Sequence, residues 1–279
     1  MRTFKIFALI SLMAIYSCKK DRSGYPPAPV PPVAPGVNLI RIELEEMAQP
    51  AELFGYDAAR QLISRSAYLN NTMPAAFTHL NNKPVRADMI STTDGRVMYS
   101  YQLLYAGDKL DKINMIYTGA DPGNKTPMVI WKCSYTNGSL TMVTAYGPDE
   151  TAAGSHSRMV YTYYPNGDLK RSAVEECFDN NGFKLTSEVS YEYDDQNNPM
   201  QLHARYLTVY SPYLHSAAHN IVKEIWTEGQ NRKVTQVVTR SYAYQKDGYP
   251  LTALTSYSYP GDAADNYTEK THYVYTDKK

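Results

Sequence analysis

From residue 38 onward, apolar and polar side chains alternate with a period of two. In Asn38 to Glu45, Ile40, Ile42 and Leu44 take one side and Arg41, Glu43 and Glu45 the other. This alternation predicts a half-buried β-strand. Val97, Tyr99, Tyr101, Leu103 and Tyr105 repeat it, as do Val129, Trp131, Cys133 and Tyr135. Leu140, Met142, Thr144 and Tyr146 follow, then Val189, Tyr191 and Tyr193, and finally Leu251, Ala253, Thr255, Tyr257 and Tyr259. The intervening positions more often carry Ser, Gln, Thr and Lys. Repeated on this scale, the pattern means a sheet with one buried face. Residues 70–83 break it: they are polar, with Pro74 and Pro84 alongside. A loop or a short helix is expected there.

The runs are joined by turn signals. In Tyr161 to Leu169, a tyrosine-rich run enters Asn166-Gly167 and Leu169 opens the next run. Asn-Gly predicts a two-residue type I′ turn, because both residues reach positive φ at low cost. Tyr105, Tyr135, Tyr164 and Tyr193 head equivalent segments at spacings of 30, 29 and 29 residues. A fixed period in this range marks a repeat architecture, each unit being one two-stranded hairpin. Residues 85–279 are thus expected to form an all-β, antiparallel up-and-down meander of about a dozen strands. It is either a closed barrel or a strongly curved sheet, since an open sheet so wide leaves bare edges.

Two segments carry a resemblance. Tyr56, Asp57, Arg60, Gln61 and Leu62 resemble the YD repeat, Tyr-Asp-x-x-Gly-Arg-Leu, and the fuller match runs from Phe178-Asp179 through Gly182 to Leu185. The chain also resembles Bacteroidota lipoproteins with Tyr-rich hairpins and a porin-like fold. The likeness covers roughly residues 38–279 and implies a shape and an address, with no activity attached.

The N-terminus supports that address. Arg2 and Lys5 precede an apolar run, Ile6 to Tyr16, which is too short to span a bilayer and reads as a secretory signal. It ends Ile15-Tyr16-Ser17-Cys18, which resembles a lipobox with Cys18 as the acylated residue. Residues 1–17 are expected to be removed. Residues 18–36 hold the lipidated cysteine and a proline-rich tether from Tyr25 to Gly36, extended as polyproline II. Residues 37–279 form a single β-meander domain. The expected place is the outer membrane, on its periplasmic face or at the cell surface.

Composition narrows the partners. Tyrosine is extreme at 26, against 6 Phe and 2 Trp, which suits sheets with partly wet faces. Losing Arg2 and Lys5 takes 28 basic residues to 26 against 28 acidic, a net −2. Nothing there attracts nucleic acid, and the expected membrane contact is through the N-terminal lipid. No phosphate-cradling loop, nucleophile elbow or metal spacing is present, so no cofactor is expected. Glu175 and Glu176 are adjacent on a strand and point to opposite faces, so they cannot work as an acid pair. Cys133 and Cys177 either pair or stay as separate buried thiols.

Counting turns alternately to the two ends of the meander puts those near 107, 137, 166, 196 and 230 on one rim. The other receives 94, 123, 153, 181, 215 and 247, including the long loops 120–126, 147–155 and 211–220. A binding site is expected on that second rim. The longest loop offers Tyr210, Tyr213, His215 and His219, flat rings and hydrogen-bonding tips suited to a glycan or an envelope protein. The leading expectation is a lipid-anchored, non-enzymatic envelope protein with a binding or structural role. The alternatives are an outer-membrane-spanning porin-like barrel and an envelope hydrolase.

Overall fold

The computed structural model describes residues 38–276, except 48, 68–72, 120, 149–156, 178–181 and 204–216. The expectations for the signal, Cys18 and the tether lie outside the described residues. The first strands are β1 (Leu39–Leu44), β2 (Glu52–Tyr56), β3 (Leu62–Ala67), β4 (Ala75–Leu80), β5 (Lys83–Ile90), β6 (Val97–Ala106), β7 (Lys109–Tyr117) and β8 (Val129–Thr136). Then come β9 (Ser139–Tyr146), β10 (Ser157–Tyr163), β11 (Leu169–Cys177), β12 (Phe183–Asn197), β13 (His219–Glu228), β14 (Lys233–Tyr244), β15 (Pro250–Ser258) and β16 (Tyr267–Tyr275). Each pairs antiparallel with its neighbours in sequence, and β1 pairs with β16 from Leu39↔Tyr275 to Leu44↔Thr271. The sheet is therefore a closed up-and-down barrel of 16 strands with no free edge.

Residues 75–80, expected as loop or short helix, are β4 instead. Its pair with β5 is turned by Asn81 and Asn82, with φ of 51° and 60°. Two asparagines supply the left-handed pair that Asn-Gly supplies elsewhere. Pro84 is accommodated at the start of β5.

The inner wall carries the apolar phase. Leu103, Ile113, Trp131, Val143, Met159, Tyr161, Val189 and Tyr191 form one buried cluster, and Leu39, Phe54, Leu62, Phe77 and Met89 form a second. The outer wall carries charge. Arg41 pairs with Glu43, Arg86 with Asp88, Lys223 with Glu192 and Lys270 with Glu45 at 2.5–2.8 Å, and Arg158 pairs with Glu175.

The tyrosines have a specific job. In seven of the eight strand pairs that run out and back, an inward tyrosine near the end of the second strand donates its hydroxyl to a carbonyl at the start of the strand before. These bonds are Tyr56 to Leu39, Tyr105 to Pro84, Tyr135 to Leu110, Tyr163 to Leu140, Tyr193 to Leu169, Tyr242 to Ile221 and Tyr275 to Pro250. They span 2.5–2.9 Å. Each staples the open end of a strand pair whose other end is a turn. In the eighth pair, β3–β4, His79 stands opposite Pro84 in the tyrosine's place. The repeat therefore runs through Tyr163 rather than Tyr164.

Asn137-Gly138 makes the expected type I′ turn, with φ of 51° and 89°. Asn166-Gly167 does not. Only Gly167 is left-handed, at 91°, and the bonds Gly167 N–H to Tyr164 O and Tyr164 N–H to Asp168 O close a longer loop. Pro165 imposes a negative φ and a type I turn, so a single left-handed residue follows. The segments 57–61 and 245–249 repeat that bond pattern, and at 57–61 the left-handed position is held by exposed Arg60, φ 61°. A non-glycine there is strained by about 1–2 kcal/mol, partly offset by glycine's greater freedom when unfolded. Arg60→Gly is expected to raise stability by about 0.5–1 kcal/mol in urea unfolding.

Candidate functional site

The strand order corrects the rim count. β12 runs unbroken from Phe183 to Asn197, so no turn lies at 196, and Tyr193 pairs with Ile221 of β13. The segment between Asn197 and His219 is therefore a single connection on the first rim, beside the turns at 107, 137, 166 and 247. β7 and β8, and β9 and β10, are joined at the opposite end, with the turn near 230. The expected gathering of three long loops on one rim does not occur.

Tyr210, Tyr213 and His215 lie outside the described residues. His219 opens β13, and its Nδ1 lies 2.6 Å from Oδ2 of Asp168. Asp168 is wholly buried, and it also accepts from Ala218 N at 2.7 Å and Asn166 Nδ2 at 2.7 Å. Its burial is compensated by this full set of donors. Asn198 holds both ends of the segment, donating its N–H to Ala218 O and its amide to Ala217 O. Asn197 Nδ2 donates to Asp247 O, and the Asn220 N–H to Asp194 Oδ1. Asp194 also accepts from the Tyr244 hydroxyl. A short 3-10 turn, Pro199–His203, follows β12, and its Met200 packs on the cluster formed by β1 to β6. The connection thus reaches across the first rim to the far inner wall. His219 is a fastening of that closure.

A second feature was not foreseen. The inner wall of β13 to β16, continuing to β2 and β3, carries polar side chains in the apolar phase. Glu224, 3% exposed, pairs with Arg240 at 2.5 Å and accepts from Trp226 Nε1 at 2.9 Å. Glu269 accepts from the Tyr257 hydroxyl at 3.0 Å, and Arg65 pairs with Glu52 at 2.9 Å. Burial alone would lower the Arg240 pKa, but Glu224 and the neighbouring tyrosines outweigh it and the net shift is upward. Burial pushes Tyr273 up to about 12, with Arg240 opposing and Glu52 adding. The signal available in the sequence was charge in the wrong phase. Arg240 stands between Val238 and Tyr242, whose side chains face inward.

Among the described residues Cys133 and Cys177 are unpaired thiols, and burial pushes Cys133 up to about 12. Among the same residues, no group of three or more His, Cys, Asp and Glu is placed to hold a metal.

No family model matches the chain, and no curated protein does. Solved structures do. A porin-like protein from Bacteroides uniformis has 15% identity and a TM-score of 0.52, over 87% of this chain and 98% of that one. A porin-like protein from Bacteroides vulgatus has 10% identity and a TM-score of 0.42, over 86% and 99%. The first shows the same fold.

Proposed function

We propose that the chain is a lipid-anchored, non-enzymatic protein of the cell envelope, whose barrel stands in water and serves a binding or structural role. The observation that carries this is the polarity of the wall. A membrane-spanning barrel needs an apolar band facing lipid and a polar interior. Here the two apolar clusters face inward beside the polar seam, and ion pairs stand on the outer face at β1, β5, β10–β11, β12–β13 and β16. One Lys or Arg at the lipid-facing midplane costs about 2–4 kcal/mol, and these pairs lie at five separate places around the wall. The Met200 contact with the second cluster adds apolar packing to that interior. The anchor rests on Ser17-Cys18 after a short apolar run.

Two measurements test the reading. Residues 37–279 without the leader are expected to be soluble and monomeric in detergent-free buffer. Recovery only in detergent, with heat-modifiable gel migration, would support the spanning barrel instead. The full chain is expected to enter the detergent phase, and Cys18→Ala is expected to abolish that. Undiminished partition of Cys18→Ala would remove the lipid anchor.

A further inference from the structure

The dipeptide Asn-Gly occurs three times, at Asn137-Gly138, Asn166-Gly167 and Asn181-Gly182. Asn181 lies outside the described residues. The other two asparagines sit on the first rim, just past β8 and β10, and both are exposed. They are held differently. Asn166 is tied on both sides of its amide: its Nδ2 donates to Oδ2 of the wholly buried Asp168 at 2.7 Å, and its Oδ1 accepts from the Asp168 N–H at 3.2 Å. The Gly167 N–H donates to Tyr164 O at 3.0 Å. Asn137 has the tighter turn and the freer side chain. It lies at φ 51°, with Gly138 at 89°, between the paired residues Thr136 and Ser139. Among the described residues, nothing engages the Asn137 amide and nothing accepts from the Gly138 N–H.

An asparagine amide followed by glycine faces an internal nucleophile, the glycine nitrogen, with no Cβ to hinder its approach. We infer that Asn137 is a site of spontaneous deamidation, and that Asn166, in the same dipeptide, is protected by its hydrogen bonds. The Gly138 nitrogen attacks Asn137 Cγ and gives up its proton. The N–Cγ bond forms, the Cγ–Nδ2 bond breaks, and ammonia leaves with that proton, closing a five-membered imide. Water then opens the ring. Cleavage at Cγ leaves aspartate, and cleavage at the main-chain carbonyl leaves isoaspartate. At Asn166 the same path must first break both amide bonds and free the Gly167 N–H. It also strips a donor from Asp168, whose burial depends on its full set. The products at 137 differ in fit. Aspartate tolerates the left-handed position, whereas isoaspartate adds a methylene to the main chain inside a two-residue turn. Either one adds negative charge to the first rim.

Incubation of the full chain in mild detergent at mildly alkaline pH tests this, read by peptide mass spectrometry with fragmentation that tells aspartate from isoaspartate. Asn137 is expected to convert roughly tenfold faster than Asn166 or more, since three hydrogen bonds must open at the slower site. In guanidinium the two are expected to convert within roughly threefold of each other, because the unfolded chain keeps neither turn. A folded chain in which Asn137 stays intact while the denatured chain converts would overturn the site, as would an Asn166 that keeps pace with it. A tenfold gap that persists in guanidinium would overturn the protective role of the bonds around Asn166.

Discussion

Raising the pH above about 10 is expected to unfold the barrel in one steep transition, complete near pH 11–12. Burial raises the hydroxyl pKa of Tyr101, Tyr163, Tyr193, Tyr242, Tyr257, Tyr273 and Tyr275 in the folded state, to about 12 for Tyr101 and Tyr273. In the unfolded chain these groups ionise near 10. A raised folded value means the stability is whole below pH 10 and is lost as pH climbs toward the folded values. Each well-buried hydroxyl costs up to about 1.4 kcal/mol per pH unit in that window. Seven acting together approach about 10 kcal/mol per unit, comparable to the whole stability of a domain. Four of them, Tyr163, Tyr193, Tyr242 and Tyr275, also donate the staple bonds, which a phenolate cannot do. Tyrosinate absorbance and far-ultraviolet circular dichroism should therefore change together. Tyrosines that titrate near 10 while the β signal persists would contradict the buried-hydroxyl account.

Arg240→Met is expected to cost about 3–5 kcal/mol, the usual penalty for stranding a buried charge. The side chain of Glu224 is 4% exposed, and without Arg240 it keeps only the Trp226 indole among its described partners. Adding Glu224→Leu to Arg240→Met should recover most of the loss, because an apolar pair of similar volume needs no compensation. Guanidinium unfolding of the two variants checks this. A double variant as unstable as the single one would mean that shape, not charge, governs the site.

The strands from residue 85 onward were legible because alternation and turn chemistry agree there. Asn137-Gly138 sits between two clean period-two runs, and local preference and final structure coincide. β4 was hidden because its six residues, Ala75–Leu80, are flanked by prolines and by Asn-Asn, which reads as polar loop until both asparagines turn out left-handed. The rim error has one source. Tyr193 is followed by Asp194, Asp195, Gln196 and Asn197, a turn-like composition, but its partner is Ile221, far along the chain. Pairing across so long an insertion leaves no local trace. The polar seam was visible only as charge in the apolar phase, and Glu224 finds Arg240 through register that only the assembled sheet defines.

The tyrosine staples give the ring a direction of growth. Each bond joins residues 17 to 25 positions apart, so a strand pair is finished as soon as its own stapling tyrosine arrives, before any later pair exists. A chain delivered from its N-terminus can add finished pairs one after another, each offering its last strand as the template for the next. Among the described strand pairs, the one joining the most distant parts of the chain is β1 on β16, where Asn38 N–H meets the Thr276 hydroxyl across 238 positions. Loop-closure entropy thus falls on a single late event, which is where a stalled or truncated chain would be left with two sticky edges.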